Sequence, residues 1–109
     1  MKRRAAVSSG QSALTKKENG KEALLLEIYG KEECPLCDKA ERAVNETLRK
    51  LDGIPIRLVK HDIERDAALF ERYQWLIPVV HLNGEQAALY RVNKRALTKR
   101  IRRAWKSVR

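Results

Sequence analysis

Cysteine is nearly absent from this 109-residue chain: Cys34 and Cys37 are the only two, and both lie in one Cys-Pro-Leu-Cys run. A pair that close staples only a very short loop, which adds little stability. That excludes a secreted scaffold held by disulfides and points to a reducing compartment, the cytoplasm, in which the pair cycles. Long apolar runs are missing too. None approaches the roughly 20 residues that span a bilayer, so no membrane association is expected. The basic N-terminus is not followed by an apolar stretch, which argues against a secretory signal. Glu18 and Glu22, and the lack of an amphipathic period around them, count against an organelle transit peptide. No internal repeat is visible, and the length suits one domain with a modest core.

Acidic residues are absent from the last 19 positions. Residues 91–109 hold nine Lys/Arg and no acid, residues 1–22 hold six Lys/Arg and two Glu, and residues 23–90 hold nine Lys/Arg against twelve Asp/Glu. The formal net charge of +10 therefore belongs to the two ends, and the middle is mildly acidic. Whatever the positive charge serves is expected to be separate from the chemistry of the cysteines.

What is present reads as alternating strands and helices. Residues 1–22 lack periodicity and are rich in Ser, Gly, Lys and Asn, which predicts a flexible basic arm ahead of a domain over 23–109. Residues 24–29 are almost wholly apolar, as suits a central parallel strand. Helical spacing follows over 35–51, with Leu36, Ala40, Ala43, Val44, Leu48 and Leu51 as its apolar positions, and Asp52-Gly53 ends it. Ile54, Ile56 and Leu58 alternate into a second strand reaching Val59. Asp62 is expected to cap a helix over 64–73 that offers Ala67, Ala68, Leu69 and Phe70 for burial. Pro78 opens a strand from Val79 to Leu82, Asn83-Gly84 turns a hairpin, and Gln86 to Tyr90 returns. Asn93 then caps a last helix with Leu97, Ile101, Trp105 and Val108 as its apolar stripe. The order is β-α-β-α-β-β-α, an α/β arrangement with a right-handed βαβ unit.

In that frame Cys34 sits at the N-terminal end of a helix and Pro35 in its first turn, where a missing N–H costs nothing. Unpaired N–H groups and the positive end of the helix dipole favour a thiolate on Cys34. Cys37 falls one turn later on the same face, within reach of a disulfide.

Four features in order carry a family resemblance: Ile28-Tyr29-Gly30-Lys31 leading into Cys34-Pro35-Leu36-Cys37-Asp38; His61-Asp62-Ile63; Arg72-Tyr73 followed by Ile77-Pro78-Val79-Val80; and the Asn83-Gly84 hairpin. Over roughly residues 24–104 the chain resembles the thioredoxin-like fold in its short glutaredoxin-like form, with a mixed four-stranded sheet flanked by helices. The resemblance implies a thiol–disulfide oxidoreductase of cell redox homeostasis. Cys34 would be the attacking thiolate and Cys37 the resolving thiol, joined as a redox-active disulfide between turnovers. Pro78 would follow a cis bond beside them, and Ile77 would offer its backbone to an extended substrate. Lys31 would lend its charge to the thiolate or to a glutathione carboxylate. Substrates would be disulfide-containing proteins or small molecules, and no cofactor would be tightly bound. Glutathione or a thioredoxin reductase would return the electrons, and the protein would act as a monomer. Two departures stand out: Leu36 replaces the usual tyrosine, and Tyr90-Arg91-Val92-Asn93 stands where glutaredoxins carry a Gly-Gly pair that binds glutathione.

A zinc knuckle needs a second Cys pair; His61 and His81 complete a ligand set on paper, but a strand end and a mid-strand position are not expected to converge on Cys34, so no metal is expected. Both histidines, Tyr29, Tyr73, Trp75 and Trp105 are read as packing residues, Trp75 with a lesser claim to border the active site. The basic last helix is read first as a solvated surface, then as a steering surface for an acidic partner, then as a weak contact to phosphates without sequence-specific nucleic-acid recognition. A module that binds partners without turning over is the alternative to an enzyme.

Overall fold

Leu24, Leu26 and Ile28 are buried on one face of a seven-residue strand, and Tyr29 is buried on the other. That alternation sets up a three-layer molecule. In this computed structural model, which describes residues 17–18 and 21–108, Lys17–Glu18 (β1) pairs antiparallel with Lys21–Glu22 (β2). The rest of the expected basic arm, residues 1–16 and 19–20, lies outside the described residues. The main elements follow as β3 (Leu24–Gly30), α1 (Pro35–Arg49), β4 (Ile56–Asp62), a 3-10 turn (Ile63–Arg65), α2 (Ala67–Tyr73), β5 (Val79–Leu82), β6 (Glu85–Leu89) and α3 (Lys94–Val108).

The four-stranded sheet has the order β4-β3-β5-β6. β3 and β4 run parallel, with Leu24 opposite Ile56 and Tyr29 opposite His61. β5 is antiparallel to both β3 and β6. On the face under α1 and α3, Leu24, Leu26, Ile28, Val80 and Leu82 meet Val44 and Leu51 from the first helical segment and Leu97 and Ile101 from α3. The smaller core on the opposite face gathers Tyr29, Ile63, Tyr73 and Val79, with Leu69 and Ile77 packed against it. Full burial of a Leu- or Val-sized side chain stabilises by about 1.5–3 kcal/mol, so the α1/α3 layer supplies most of the apolar driving force.

Local chemistry explains the element ends. Cys37, Ala40, Val44 and Thr47 form the buried stripe of α1 at alternating three- and four-residue steps. Asn83 and Gly84 both take left-handed φ values, 51° and 86°, as a type I′ hairpin turn requires. Asn83 also accepts a hydrogen bond from the Leu25 N–H at 2.8 Å, while its own N–H donates to the Leu25 carbonyl at 2.7 Å. The Asn93 side chain accepts from the Ala96 N–H and so caps α3.

Three expectations need correction. The second strand runs over Ile56–Asp62 rather than 54–59, because pairing with β3 carries it beyond the apolar alternation through Lys60, His61 and Asp62. The helix expected over 64–73 is split: Asp62 accepts from the Glu64 N–H and caps only the 3-10 turn, and Asp66 accepts from Ala68 and Leu69 and caps α2. With that cap Tyr73 is the buried residue of α2 and Leu69 is partly buried, leaving Ala67, Ala68 and Phe70 exposed. Trp105 packs at the margin of the larger core and is only partly buried, and Val108 at the helix end is exposed.

Candidate functional site

Glu33 turns the chain out of β3 and into α1. It holds a φ of 57°, a left-handed conformation that costs a non-glycine residue energy and is over-represented at functional sites. Cys34 follows as the N-cap of α1, with Pro35 in the first turn. The Cys37 N–H points back at the Cys34 sulfur at 3.2 Å. The two sulfurs are joined in a disulfide, with the Cα atoms 5.2 Å apart. Their surroundings differ: Cys34 is half-buried, whereas Cys37 is 7% exposed beneath it. The partner reached from outside is therefore Cys34.

Gly30, the last residue of β3, lies directly under Cys37. A Cβ placed on Gly30 would stand 3.0 Å from the Cys37 sulfur. Since Tyr29 pairs with Val79, the register sets Pro78 beside Gly30 on the neighbouring strand. The Ile77–Pro78 bond is cis and Pro78 is fully buried. Among the described residues, neither the N–H nor the carbonyl of Ile77 makes a hydrogen bond. An unpaired backbone edge next to a disulfide is the chemistry of strand addition. Lys31 is exposed in the loop between β3 and α1, three residues before Cys34.

Two more residues join this region, Trp75, for which bordering the active site is the lesser reading from sequence, and Tyr90, to which the sequence assigns no role. Trp75 is 81% exposed, so its reading as a packing residue fails. Tyr90 has a φ of 68°, in a turn closed by a 2.7 Å bond from the Arg91 N–H to the Leu89 carbonyl. The Tyr90 N–H donates to the Pro78 carbonyl at 2.7 Å and its hydroxyl donates to the Trp75 carbonyl at 3.3 Å. Tyr90 thus ties down both ends of the segment that carries Ile77. Leu36, between the cysteines, and Leu76 are also exposed. No periodicity signals this apolar rim, because its members come from two loops and a helix start.

The residues 25–102 match the family described as a glutaredoxin-like domain (DUF836). The chain belongs to that family. The glutaredoxin-like domain also superimposes on solved thioredoxin-fold structures. Thioredoxin-2, from a study of malaria parasite protein secretion machinery, aligns at a TM-score of 0.60 and 19% identity, covering 78% of this chain and 86% of its own. A structural-genomics target from X. campestris aligns at 0.55 and 25% identity, covering 77% and 97%. A Staphylococcus aureus protein of unknown function aligns at 0.61 and 17%, covering 75% and 91%. The fold is thioredoxin-like α/β, with a mixed four-stranded sheet flanked by three helices.

The histidines of the glutaredoxin-like domain gather elsewhere. Tyr29 stacks on His61 with ring centroids 4.6 Å apart and meets His81 at 5.1 Å and Tyr73 at 4.8 Å. His61 Nε2 and Glu27 Oε2 are 2.9 Å apart. The hydrogen bond with His61 holds the Glu27 carboxyl below the usual carboxylate range against the opposing pull of burial. Burial, followed by the nearby Glu27 charge, pushes the Tyr29 phenol up. Burial likewise lowers His81. This polar cluster lies on the sheet face shared with α2, and it forms because the register sets Glu27 opposite His81 and Tyr29 opposite His61. Among the described residues, no group of three or more His, Cys, Asp or Glu is arranged to hold a metal ion. No described helix is long and apolar enough to cross a membrane.

Proposed function

We propose that this glutaredoxin-like domain is a dithiol–disulfide oxidoreductase acting on protein disulfides in a reducing compartment, the cytoplasm. The observation that carries this reading is the pairing of a half-exposed Cys34, at the start of α1, with a buried Cys37 one turn later. In the reduced protein the Cys34 thiolate is favoured by the Cys37 N–H and by the positive end of α1. It attacks a substrate disulfide; one substrate sulfur leaves as a thiolate and the other is held in a mixed disulfide with Cys34. The Cys37 thiolate then attacks the Cys34 sulfur, releasing the second substrate thiolate and leaving the Cys34–Cys37 disulfide. The substrate has gained two electrons and the enzyme has lost two. An external thiol reductant returns them.

The unpaired Ile77 backbone supports an extended polypeptide as substrate, held by strand addition beside the disulfide. The exposed Leu36, Trp75 and Leu76 favour apolar residues flanking the substrate cysteine. Lys31 supplies a cation at the entrance. Tyr90 occupies the place of the expected glycine pair, which favours a protein reductase over glutathione as the electron donor.

Insulin reduction tests the reading, with either glutathione plus its reductase or a thioredoxin reductase as donor. Turnover with the second donor and little with the first is expected. A reduced protein that binds insulin yet reduces it with neither donor would instead identify a binding module.

A further inference from the structure

The far end of α1 faces a feature that redox chemistry does not use. A groove of about 640 Å³ runs between α1 and α3, lined by Glu46, Thr47 and Lys50 from one side and Lys94, Arg95, Thr98, Lys99 and Arg102 from the other. Five of those eight side chains are cationic and one is acidic. Glu46 is already spoken for by Lys94 at 2.7 Å. Lys50, Arg95, Lys99 and Arg102 have no ion-pair partner among the described residues. Two threonines complete the lining. Thr47 is 3% exposed and its hydroxyl donates to the Ala43 carbonyl, and the Thr98 hydroxyl donates to the Lys94 carbonyl.

We propose that this groove grips the phosphate backbone of a nucleic-acid duplex without reading its bases. Four observations select that ligand. Protein interfaces are anchored by aromatic and apolar side chains and are depleted in lysine, and no lining residue is apolar. Sites for single strands use aromatic platforms on which bases stack, and none is present. Interfaces with duplexes are strongly positive, as this groove is. Arg95, Lys99 and Arg102 climb α3 in steps of about 6 and 4.5 Å, a ladder of cations for successive phosphates, and the two arginines can bind phosphate oxygens as forks. Arg103 and Lys106 extend the basic surface past the groove, and α3 carries no acid. The site is separate from the thiols: Thr47 lies ten residues beyond Cys37, about 15 Å along α1.

The test uses the full-length protein and a fluorescent random-sequence DNA duplex of about 20 base pairs, read by anisotropy. With four phosphates neutralised, the log–log salt slope should be about −3.6, so affinity should fall roughly 150-fold between about 50 and 200 mM salt. A groove variant combining Lys50→Gln, Arg95→Gln, Lys99→Gln and Arg102→Gln should bind at least about tenfold more weakly at low salt and lose about 3 to 4 from the slope. A control with the same charge change placed elsewhere, Lys39→Gln, Arg42→Gln, Arg65→Gln and Arg72→Gln, should keep most of the binding. Equal losses in the two variants would show that net charge alone acts and would overturn the site. Should poly-glutamate bind the groove more tightly than the duplex, the partner is an acidic polypeptide and the nucleic-acid assignment is wrong. The unaltered protein gives an independent reading: on adding duplex, amide shifts should concentrate in residues 46–50 and 94–102, and shifts centred elsewhere refute the proposal.

Discussion

Gly30 and Cys37 are in contact across the β3–α1 junction, with no room between them for a methyl group. Gly30→Ala places that methyl about 3.0 Å from the sulfur. Neither the central strand nor the helix start moves freely, and overpacking of this kind typically costs about 1–3 kcal/mol. The expected outcome is a lower melting temperature, together with slower release of trapped substrate by Cys37 and unchanged initial attack by Cys34. Stopped-flow measurement of the two steps checks it; equal slowing of both would place the strain elsewhere.

The unequal exposure of the two sulfurs sets the order of steps in the proposed mechanism. Cys37→Ser should accumulate mixed disulfides through Cys34, because the group that resolves them is gone. Cys34→Ser should accumulate far fewer, since Cys37 is buried. Non-reducing gels of both variants incubated with a disulfide-containing protein supply the comparison, and similar trapping by the two would defeat the assigned order.

Tyr90 is expected to act through the loop it restrains. Tyr90→Phe keeps the ring and removes the hydroxyl bond to Trp75, a net loss of about 0.5–1.5 kcal/mol for a typical hydrogen bond. KM for a protein disulfide should rise several-fold while the rate with a small soluble disulfide holds. Tyr90→Gly suits the left-handed backbone but gives up the anchor, so it should show the same KM effect without a loss of stability as large as the missing contacts suggest. An unaltered KM in both variants would remove Tyr90 from substrate positioning.

Acid should loosen the sheet face under α2. The His81 ring faces Glu27, Tyr29, His61, Tyr73 and Arg72, and burial sets its pKa below the ordinary 6.5. Glu27 is held below the ordinary 4.5, chiefly by His61. In each case the unfolded chain takes up its proton at a higher pH than the folded one. The associated stability is therefore whole at neutral pH. The His81 contribution declines as pH falls from about 6.5 toward its folded value, and the Glu27 contribution declines below about 4.5. Urea midpoints should show less decline between about pH 7 and 5 in His81→Asn than in the parent protein. Parallel curves would mean that His81 titrates alike in both states.

Legibility followed the range of the interactions involved. The CxxC at a helix start, the Ile-Pro-Val-Val strand and the Asn-Gly hairpin are local signals, and the chain folds at those places as they predict. The hidden parts depend on what lies across space. Asp62 and Asp66 are both good caps, and only the path of the chain after β4 decides that one serves a 3-10 turn and the other α2. Trp75 reads first as a packing residue and only second as a neighbour of the active site, yet it stands exposed on a loop tethered by Tyr90, fifteen residues later. The Glu27–His61–His81 cluster requires knowing that β4 and β5 flank β3 in the observed register.

The two faces of the sheet are not closed with equal firmness. α1 and α3 seal one face with a continuous apolar layer, whereas α2 spans only Ala67–Tyr73 and buries little besides Tyr73. Regions with few buried apolar contacts open at a lower free-energy cost than the global transition. Hydrogen exchange at the amides of α2 should accordingly outpace exchange in β3 and α1. The chain runs from α2 directly into Trp75, Leu76 and Ile77, so the compliant layer is the one attached to the proposed substrate edge, while the cysteines are mounted on the rigid one. A visiting polypeptide would meet a fixed sulfur and an adjustable wall.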